Sequence, residues 1–439
     1  MFGKKKDERA EAILKMFKNF GIKMELVDAK SGPLHSRFMF RPITPIRMKD
    51  LVNFDSDLCL ALGAYPIRIE APILGTKLIG IEVPNEKQEF VDIKELWENP
   101  EFLKDKRKLI IPFGRTVDNE DLFIDLFKLP HLLISGMTGS GKSTFLHCLI
   151  SSLMKKFGSE EVKFILVDNK RVEFQIYSGI PYLLTEPIVE TEKTISALRW
   201  LNGEMEKRFK LLDQSGSMDI NDYNSKSSEK MRHILFINEE FIDDICANKK
   251  DFEEGITKIL QMGGAVGLHI ILATSRPEKR AVSSAACANI TARLCFKTAS
   301  PIDSKEILDQ IGAERLLGHG DALFLDVNST NLTRLQVPFI LYEELMKNVE
   351  IVKQKITADP LDEKEIDKML TFYDEANEDI LYVEAKKIVI EAGAGSASLI
   401  QRRLRVGYAR AARLLDMLEE AGVVGEGNGA EPRKILKEE

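Results

Sequence analysis

An α/β fold built on parallel strands is what this 439-residue sequence predicts. Three observations carry that expectation. An apolar strand runs into a glycine-rich loop and then a helix. Further apolar strands alternate with helical segments in a regular order. Several of those strands end in acids or small polar residues, and in an open parallel sheet the carboxyl ends are where ligands sit. A small α+β module precedes this core, and a compact run of helices with a terminal hairpin follows it.

The segment Pro130 to Leu153, PHLLISGMTGSGKSTFLHCLISSL, organises the core. Leu132 to Ser135 reads as a buried strand, and Phe145, Leu149, Ile150 and Leu153 recur at helical spacing. Between them Gly136, Met137, Thr138, Gly139, Ser140, Gly141, Lys142 and Ser143 form G-x-x-x-x-G-K-S, with Thr144 following. In a strand-loop-helix context this is a P-loop. Its glycines let successive amides point at phosphate oxygens, where the helix dipole also favours negative charge. Lys142 would reach the β and γ phosphates of ATP, and Ser143 would hold Mg2+.

Composition bounds the rest. With 44% hydrophobic and 30% charged residues the chain reads as globular, long enough for two or three cores. No apolar run has membrane-spanning length, and the Lys4 to Lys6 start lacks the apolar stretch of a signal peptide, so the expected location is cytoplasmic. Cys59, Cys148, Cys246, Cys287 and Cys295 are scattered without C-x-x-C spacing, which points to reduced core thiols. A formal net charge of -7 argues against indiscriminate adhesion to nucleic acid while leaving room for a local basic surface.

In the first hundred residues Phe38 to Phe40 reads as a strand and Met48 to Leu62 as one helix. Ile67 to Ile69 and Leu78 to Val83 read as further strands, closed by Pro84 and Asn85. Beyond Pro112 to Gly114 the strand-helix alternation becomes regular. Phe164 to Asp168 is a second core strand, followed by Lys170 and Glu173. These three charges read equally as ligands at the strand end or as solvated loop residues. His233 to Glu240 (HILFINEE) is a third strand ending in acids, where P-loop enzymes place a metal-holding carboxylate and a water-polarising glutamate. The register is open: Asn238 with Glu239, or Glu239 with Glu240. Ile270 to Thr274 is a fourth strand, and its tip, Ser275, Arg276 and Pro277, either senses the γ phosphate or turns the chain.

From Asp359 to Asp379 the composition turns acidic, as in a tether. Leu381 to Leu436 reads as a winged helix: one helix over Leu381 to Ala392, and a second capped by Ser398 with Gln401. After a turn at Val406 to Tyr408, a third helix runs over Tyr408 to Ala421. Val423 and Val424 then pair with Lys434 to Leu436 as a wing. Arg402, Arg403, Arg405, Arg410 and Arg413 cluster about that turn, where helix-turn-helix proteins reach the major groove.

Taken together, PHLLISGMTGSGKS, VDNKRVEF, SGIPYLLT, ALRWLNGEMEKRF, EEFIDD, GLHIILATSRP, ANITARLCFK and IDSKEILDQIGAERLLGHGDALFL resemble the motor of the FtsK/SpoIIIE family of DNA translocases. The likeness runs almost continuously from about Gly32 to Val349. SASLIQRRLRVGYARAARLLDMLEEAGVV is similar to the carboxyl-terminal γ domain of the same family, which reads orienting sequences. The resemblance implies a RecA-like P-loop motor over residues 106–349, a preceding α-type domain over 1–105, a linker over 350–380 and a γ-type winged helix over 381–439. It also implies a homo-hexameric ring on double-stranded DNA, driven by ATP hydrolysis and serving chromosome segregation. Recombinase or division proteins are the further partners implied at the winged helix. Many members carry an amino-terminal membrane anchor ahead of such a segment.

Carried over by position, Gly139, Gly141, Lys142 and Ser143 bind nucleotide. The family's aspartate-glutamate pair falls on Glu239 and Glu240, which makes Glu240 the catalytic carboxylate. Four residues depart from the family pattern. Glu239 stands for aspartate, Ser275 for a glutamine sensor, and Ala409 for the asparagine of the γ motif. Lys305 stands for an arginine finger and lacks its planar fork, so Arg276 is a candidate to contribute. The rival readings are a conjugative coupling or secretion ring ATPase, and a DNA-binding regulator that nucleotide merely switches.

Overall fold

The computed structural model describes residues 2–73, 75–104, 109–276, 289–290, 292–326, 332–354, 381–404, 406–420, 423–425 and 433–436; for 2–7, 383, 409–410, 413 and 420 it describes the backbone only. The chain divides into two units, Met1–Leu361 and Asp362–Glu439.

The first unit opens with α1 (Phe2–Asn19), β1 (Met24–Ser31), β2 (His35–Pro42), α2 (Met48–Val52), α3 (Asp55–Leu62), β3 (Arg68–Glu70) and β4 (Ile79–Pro84). The strands form an antiparallel sheet in the order β1-β2-β4-β3. Ile13 and Phe17 of α1 pack with Phe38, Phe40, Leu58 and Ile81 in its core. The single helix expected over Met48 to Leu62 is two. The chain breaks at Asn53 and Phe54, where the Phe54 ring packs edge-on against Phe17 and Phe20 at 5.5 and 4.9 Å. Asp55 and Asp57 then open α3, where acids complement the helix amino terminus.

Next come β5 (Val91–Asp92), α4 (Ile93–Trp97), α5 (Pro100–Lys104), β6 (Ile110–Thr116), β7 (Asp121–Asp125), β8 (His131–Ser135), α6 (Lys142–Lys156) and β9 (Val162–Val167). They are followed by α7 (Thr191–Ser215), α8 (Ile220–Lys226), β10 (His233–Asn238), α9 (Phe241–Met262), β11 (Leu268–Thr274), β12 (Ala292–Phe296) and α10 (Pro301–Leu308). The unit closes with β13 (Asp321–Leu325), β14 (Leu332–Gln336), β15 (Pro338–Phe339) and α11 (Tyr342–Gln354).

Nine of these strands form one sheet, ordered β7-β6-β14-β13-β12-β8-β11-β10-β9. From β12 to β9 every pairing is parallel, as the apolar runs require. From β12 back to β7 every pairing is antiparallel. Strand β10 stops at Asn238, so Glu239 and Glu240 lie in the turn beyond it rather than in the strand.

Buried charge ties the first sheet to the second. Glu82 of β4 is fully buried, and its carboxylate accepts from Arg37 (2.8 Å), Arg68 (3.0 Å) and Arg334 (3.0 Å). Burial alone would push this carboxyl up, but the three guanidiniums outweigh it and hold it far below the usual carboxylate range. Arg334 of β14 also forks onto Asp321 of β13 at 3.0 and 2.6 Å. An ion left unpaired in such a place costs about 3–5 kcal/mol, so the cluster holds as a set.

The second unit contains α12 (Tyr382–Ala392), α13 (Ala397–Leu404) and α14 (Tyr408–Glu420), with bridges Gly395↔Arg433 and Val424↔Ile435 closing a small wing. Ala385, Val389, Ile400, Leu414 and Leu418 fill its core. The expected cap at Ser398 and Gln401 is displaced by two residues. It is the Ser396 hydroxyl that accepts the Leu399 amide at 3.1 Å, because α13 already begins at Ala397. No helix among the described residues is long and apolar enough to cross a membrane. The described cysteines, Cys59, Cys148, Cys246 and Cys295, are free.

Candidate nucleotide-binding site

The loop between β8 and α6 is held by its neighbours before any ligand enters. The Met137 amide donates to the Lys297 carbonyl (2.8 Å), and the Gly320 amide donates to the Ser140 carbonyl (2.8 Å). Glycine is required at two of its corners. Gly136 has φ 150 and a Cβ there would lie 2.5 Å from the Phe296 Cβ; Gly141 has φ 115 and a Cβ would lie 2.9 Å from the Gly320 nitrogen.

Lys142 folds back on its own loop. Its ammonium donates to the carbonyls of Gly136 (2.6 Å) and Met137 (3.2 Å). Burial lowers its pKa from the ordinary lysine value, with Glu240 and Glu239 opposing that shift. Thr138, Gly139, Gly141, Lys142, Ser143 and Thr144 line a cavity of about 600 Å³, whereas Gly136, Met137 and Ser140 brace the loop behind it.

The carboxyl ends of β9, β10 and β11 supply the acidic wall. Glu239 lines the cavity with Lys170, Glu173 and Ser275. Its Oε2 is buried without a hydrogen-bond partner, and burial raises its pKa although Lys170 lies 3.6 Å away. A buried carboxylate oxygen that accepts no hydrogen bond and a serine hydroxyl on Ser143, lining the same cavity, are oxygen donors of the kind suited to Mg2+.

Glu240 faces the tip of β11 instead. It accepts from the Thr274 hydroxyl, the Ser275 hydroxyl, the Ser275 amide (3.0 and 3.1 Å) and Lys170 (3.1 Å). Burial pushes this carboxyl up, but those donors outweigh it and leave the group below the usual glutamate value. Asn238 faces neither direction: its amide donates to Asp244 (2.7 Å) and its oxygen accepts from the Glu240 amide (3.1 Å).

The three charges after β9 separate. Asp168 is buried and braces the loop by accepting the amides of Glu173 (2.8 Å) and Phe174 (2.9 Å). Glu173 is held low first by its hydrogen bond with His147 and also by Ser143. Lys170 bridges toward the two glutamates. Arg276 at the β11 tip and Lys305 on α10 are exposed and do not line the cavity.

In the second unit Arg402 and Arg403 are exposed at the end of α13. Arg410 and Arg413 lie on α14, of which only the backbone is described there, and Arg405 lies outside the described residues. Several cavity residues escaped the sequence reading, among them His319, Gly320, Gln336 and Phe339. The one usable signal for them was the glycine spacing of GHGD before a strand.

A mixed sheet with a P-loop on its central strand, an acidic turn beside it and helices on its faces defines a P-loop NTPase. The chain belongs to the FtsK/SpoIIIE family. The FtsK/SpoIIIE family model matches residues 92–279, the FtsK alpha domain residues 3–85 and the FtsK gamma domain residues 376–438. The DNA translocase FtsK of Caldanaerobacter subterraneus subsp. tengcongensis is 39% identical over 434 residues, which is 98% of this chain and 61% of that protein. The DNA translocase SpoIIIE of Bacillus subtilis is 37% identical over 439 residues, 98% of this chain and 56% of that protein. The chain thus spans little more than half the length of these relatives. Among solved structures, the pCW3 conjugation coupling protein TcpA with ATPγS superposes at TM-score 0.55 and 21% identity, over 78% of this chain and 99% of that one. The cytoplasmic domain of the Thermomonospora curvata Type VII secretion ATPase EccC gives 0.53 at 23% identity, over 62% and 35%. At that identity the likeness is one of fold.

Proposed function

We propose that this chain is the motor of an ATP-driven double-stranded DNA translocase, working as a homo-hexameric ring in chromosome segregation, with the winged helix sensing sequence. The observation that carries the reading is the cavity in which Lys142, Ser143 and the orphaned carboxylate of Glu239 converge. The names of the relatives direct it toward DNA.

In this reading Lys142 exchanges the carbonyls of Gly136 and Met137 for the β and γ phosphates of ATP. Ser143 and Glu239 would hold Mg2+, which supplies charge neutralisation on the transferring phosphoryl group. Glu240 orients the attacking water after releasing one of its Ser275 or Lys170 partners, which couples hydrolysis to the position of the β11 tip. Lys305, exposed on α10, supplies positive charge to a neighbouring subunit's site, with Arg276 as the second candidate. Arg402 and Arg403 contact DNA together with Arg405, Arg410 and Arg413, and Arg410, in the first turn of α14, reaches a base edge.

ATP turnover measured with and without duplex DNA tests this. The wild type hydrolyses ATP and is strongly stimulated by duplex, Lys142→Ala abolishes turnover with the fold intact, and Arg402→Ala raises the duplex concentration needed for stimulation. Turnover that ignores DNA, or that survives in Lys142→Ala, would sink the proposal.

A further inference from the structure

Asp244 has no part in the phosphate chemistry, yet its side chain is wholly buried. It stands in the first turn of α9, just past the acidic turn. A buried carboxylate is costly unless donors compensate it. Here the donors come from three other elements: Asn238 ends β10, Asn169 follows β9, and Thr191 and Thr194 open α7. Burial raises the Asp244 pKa, and these four oppose the shift. The close, well-aligned bond is the one from Asn238, whose Nδ2 donates to Oδ2 at 2.7 Å, while Oδ1 accepts none of that quality.

The other end of Asn238 gives that bond its consequence. Its Oδ1 accepts the Glu240 amide at 3.1 Å, and Glu240 sits at φ -144 and ψ 69, outside helix and strand geometry. A side-chain amide can turn over by half a rotation, which would set its NH2 against the Glu240 N–H, donor against donor. A carboxylate only accepts, so Asp244 binds the NH2 end and leaves the oxygen for Glu240. We propose that Asp244 is a positioning residue for ATP hydrolysis, fixing the Asn238 amide and through it the backbone from which the Glu240 carboxylate reaches the attacking water. Asn169 extends the same control, because its neighbour Lys170 holds the Glu240 carboxylate at 3.1 Å. The proposal rests on the role given to Glu240 above. Neither Asp244 nor Asn238 lines the cavity, so their loss acts on turnover and not on ATP binding.

Equilibrium ATP titration and steady-state turnover of the full chain test this, with thermal midpoints as the folding control. Asp244→Ala is expected to lower kcat by about tenfold to 10²-fold, the scale of a misplaced reacting group, while ATP affinity stays within about threefold of the wild type. Asp244→Asn can turn its own oxygen toward Asn238 and is expected to regain most of that loss. A side chain that acts only through Glu240 adds nothing once Glu240 is disabled, so Asp244→Ala in the Glu240→Gln background costs no more than about twofold further. Should Asp244→Ala fail to fold, Asn238→Ala takes its place with the same expectations for kcat, affinity and the Glu240→Gln background, since it cuts the link and leaves Asp244 its other donors. Wild-type kcat in the folded variant, equal losses in kcat and affinity, no recovery in Asp244→Asn, or a full further loss in the Glu240→Gln background would each overturn the positioning role. Failure of the reading beneath it looks different: Glu240→Gln turns over ATP at the wild-type rate, or the wild type does not hydrolyse ATP. Either result takes the proposal with it.

Discussion

Two adjacent glutamates with opposite surroundings set the chemistry at the level of single residues. Glu239 lines the cavity with an Oε2 that accepts no hydrogen bond and lies 3.6 Å from the Lys170 ammonium, and burial raises its pKa. Glu240 is wrapped by donors and held low, so it stays ionised across the neutral range. Glu240→Gln keeps the shape and removes the charge. It should retain ATP binding while lowering turnover about 10²-fold or more, the usual scale for a lost general base. Glu239→Gln should weaken Mg2+-dependent nucleotide binding instead. Rapid filtration with labelled ATP reads both, and a stable ATP-bound Glu239→Gln beside an active Glu240→Gln would reverse the two roles.

Sequence spacing could not assign these roles by itself. HILFINEE offers three consecutive polar side chains, and their directions depend on where the strand stops. The strand ends at Asn238, whose amide turns to Asp244, a partner six residues on in the next helix. By contrast, the strand, loop and helix of the P-loop were legible, because Gly136 and Gly141 answer to backbone geometry that other residues rarely adopt. The residues closing the cavity from β13 to β15 were not legible, since nothing local to His319, Gln336 or Phe339 says which strand they will neighbour.

On the scale of elements, the parallel half of the sheet announced itself and the antiparallel half did not. Strands β8, β9, β10 and β11 are buried on both faces and so read as unbroken apolar runs. Strands β7 and β14 carry half-buried or exposed positions, β6 ends in two half-buried ones, and the pairing of β14 with β6 joins residues far apart in sequence. Helix α1 was missed because its basic start dominates the eye, although Ala10, Ile13 and Phe17 share a buried face.

The amino-terminal starts of three core strands hold a device the sequence reading passed over. His131, His233 and His269 begin β8, β10 and β11 or lie one residue in. The His233 and His269 rings meet at 3.1 Å, His269 lies 3.2 Å from the Pro130 carbonyl, and His131 accepts the Ile270 amide at 3.1 Å. Burial pulls His131 down to about 3 and His269 to about 4, and His233 well below its ordinary value, with the Arg208 guanidinium adding to the effect on His233 and His269.

With folded values below the unfolded 6.5, the unfolded chain binds more protons between pH 6.5 and about 4. Stability is therefore full above pH 6.5 and declines as pH falls through that window. Thermal midpoints recorded from pH 7 to 5, above the range where ordinary carboxyls titrate, should drop steadily in the wild type. His131→Asn keeps an acceptor for the Ile270 amide and cannot titrate, so its decline should be shallower; an identical slope would remove His131 from the account.

At the scale of the whole molecule, a motor sheet is joined to a smaller sheet through Glu82 and Arg334, and a separate three-helix unit carries exposed arginines. Arg402, Arg403, Arg405, Arg410 and Arg413 fall close together in the sequence of the second unit, although the chain as a whole carries a net charge of -7, and a local basic stretch can coexist with an acidic total. The alternation of strands and helices through the core was legible, because its apolar runs are long and regular. The joining charges were not, because Glu82 and Arg334 lie far apart in sequence and only the fold brings them together.

The central claim is movement, and the measurement closest to it is displacement of a third-strand oligonucleotide bound at increasing distances from the loading end of a duplex. The account predicts that displacement requires ATP, shows a lag that grows in proportion to distance, and is lost in Lys142→Ala. Displacement that is independent of ATP, or ATP hydrolysis that proceeds with the third strand left in place at every distance, would contradict it.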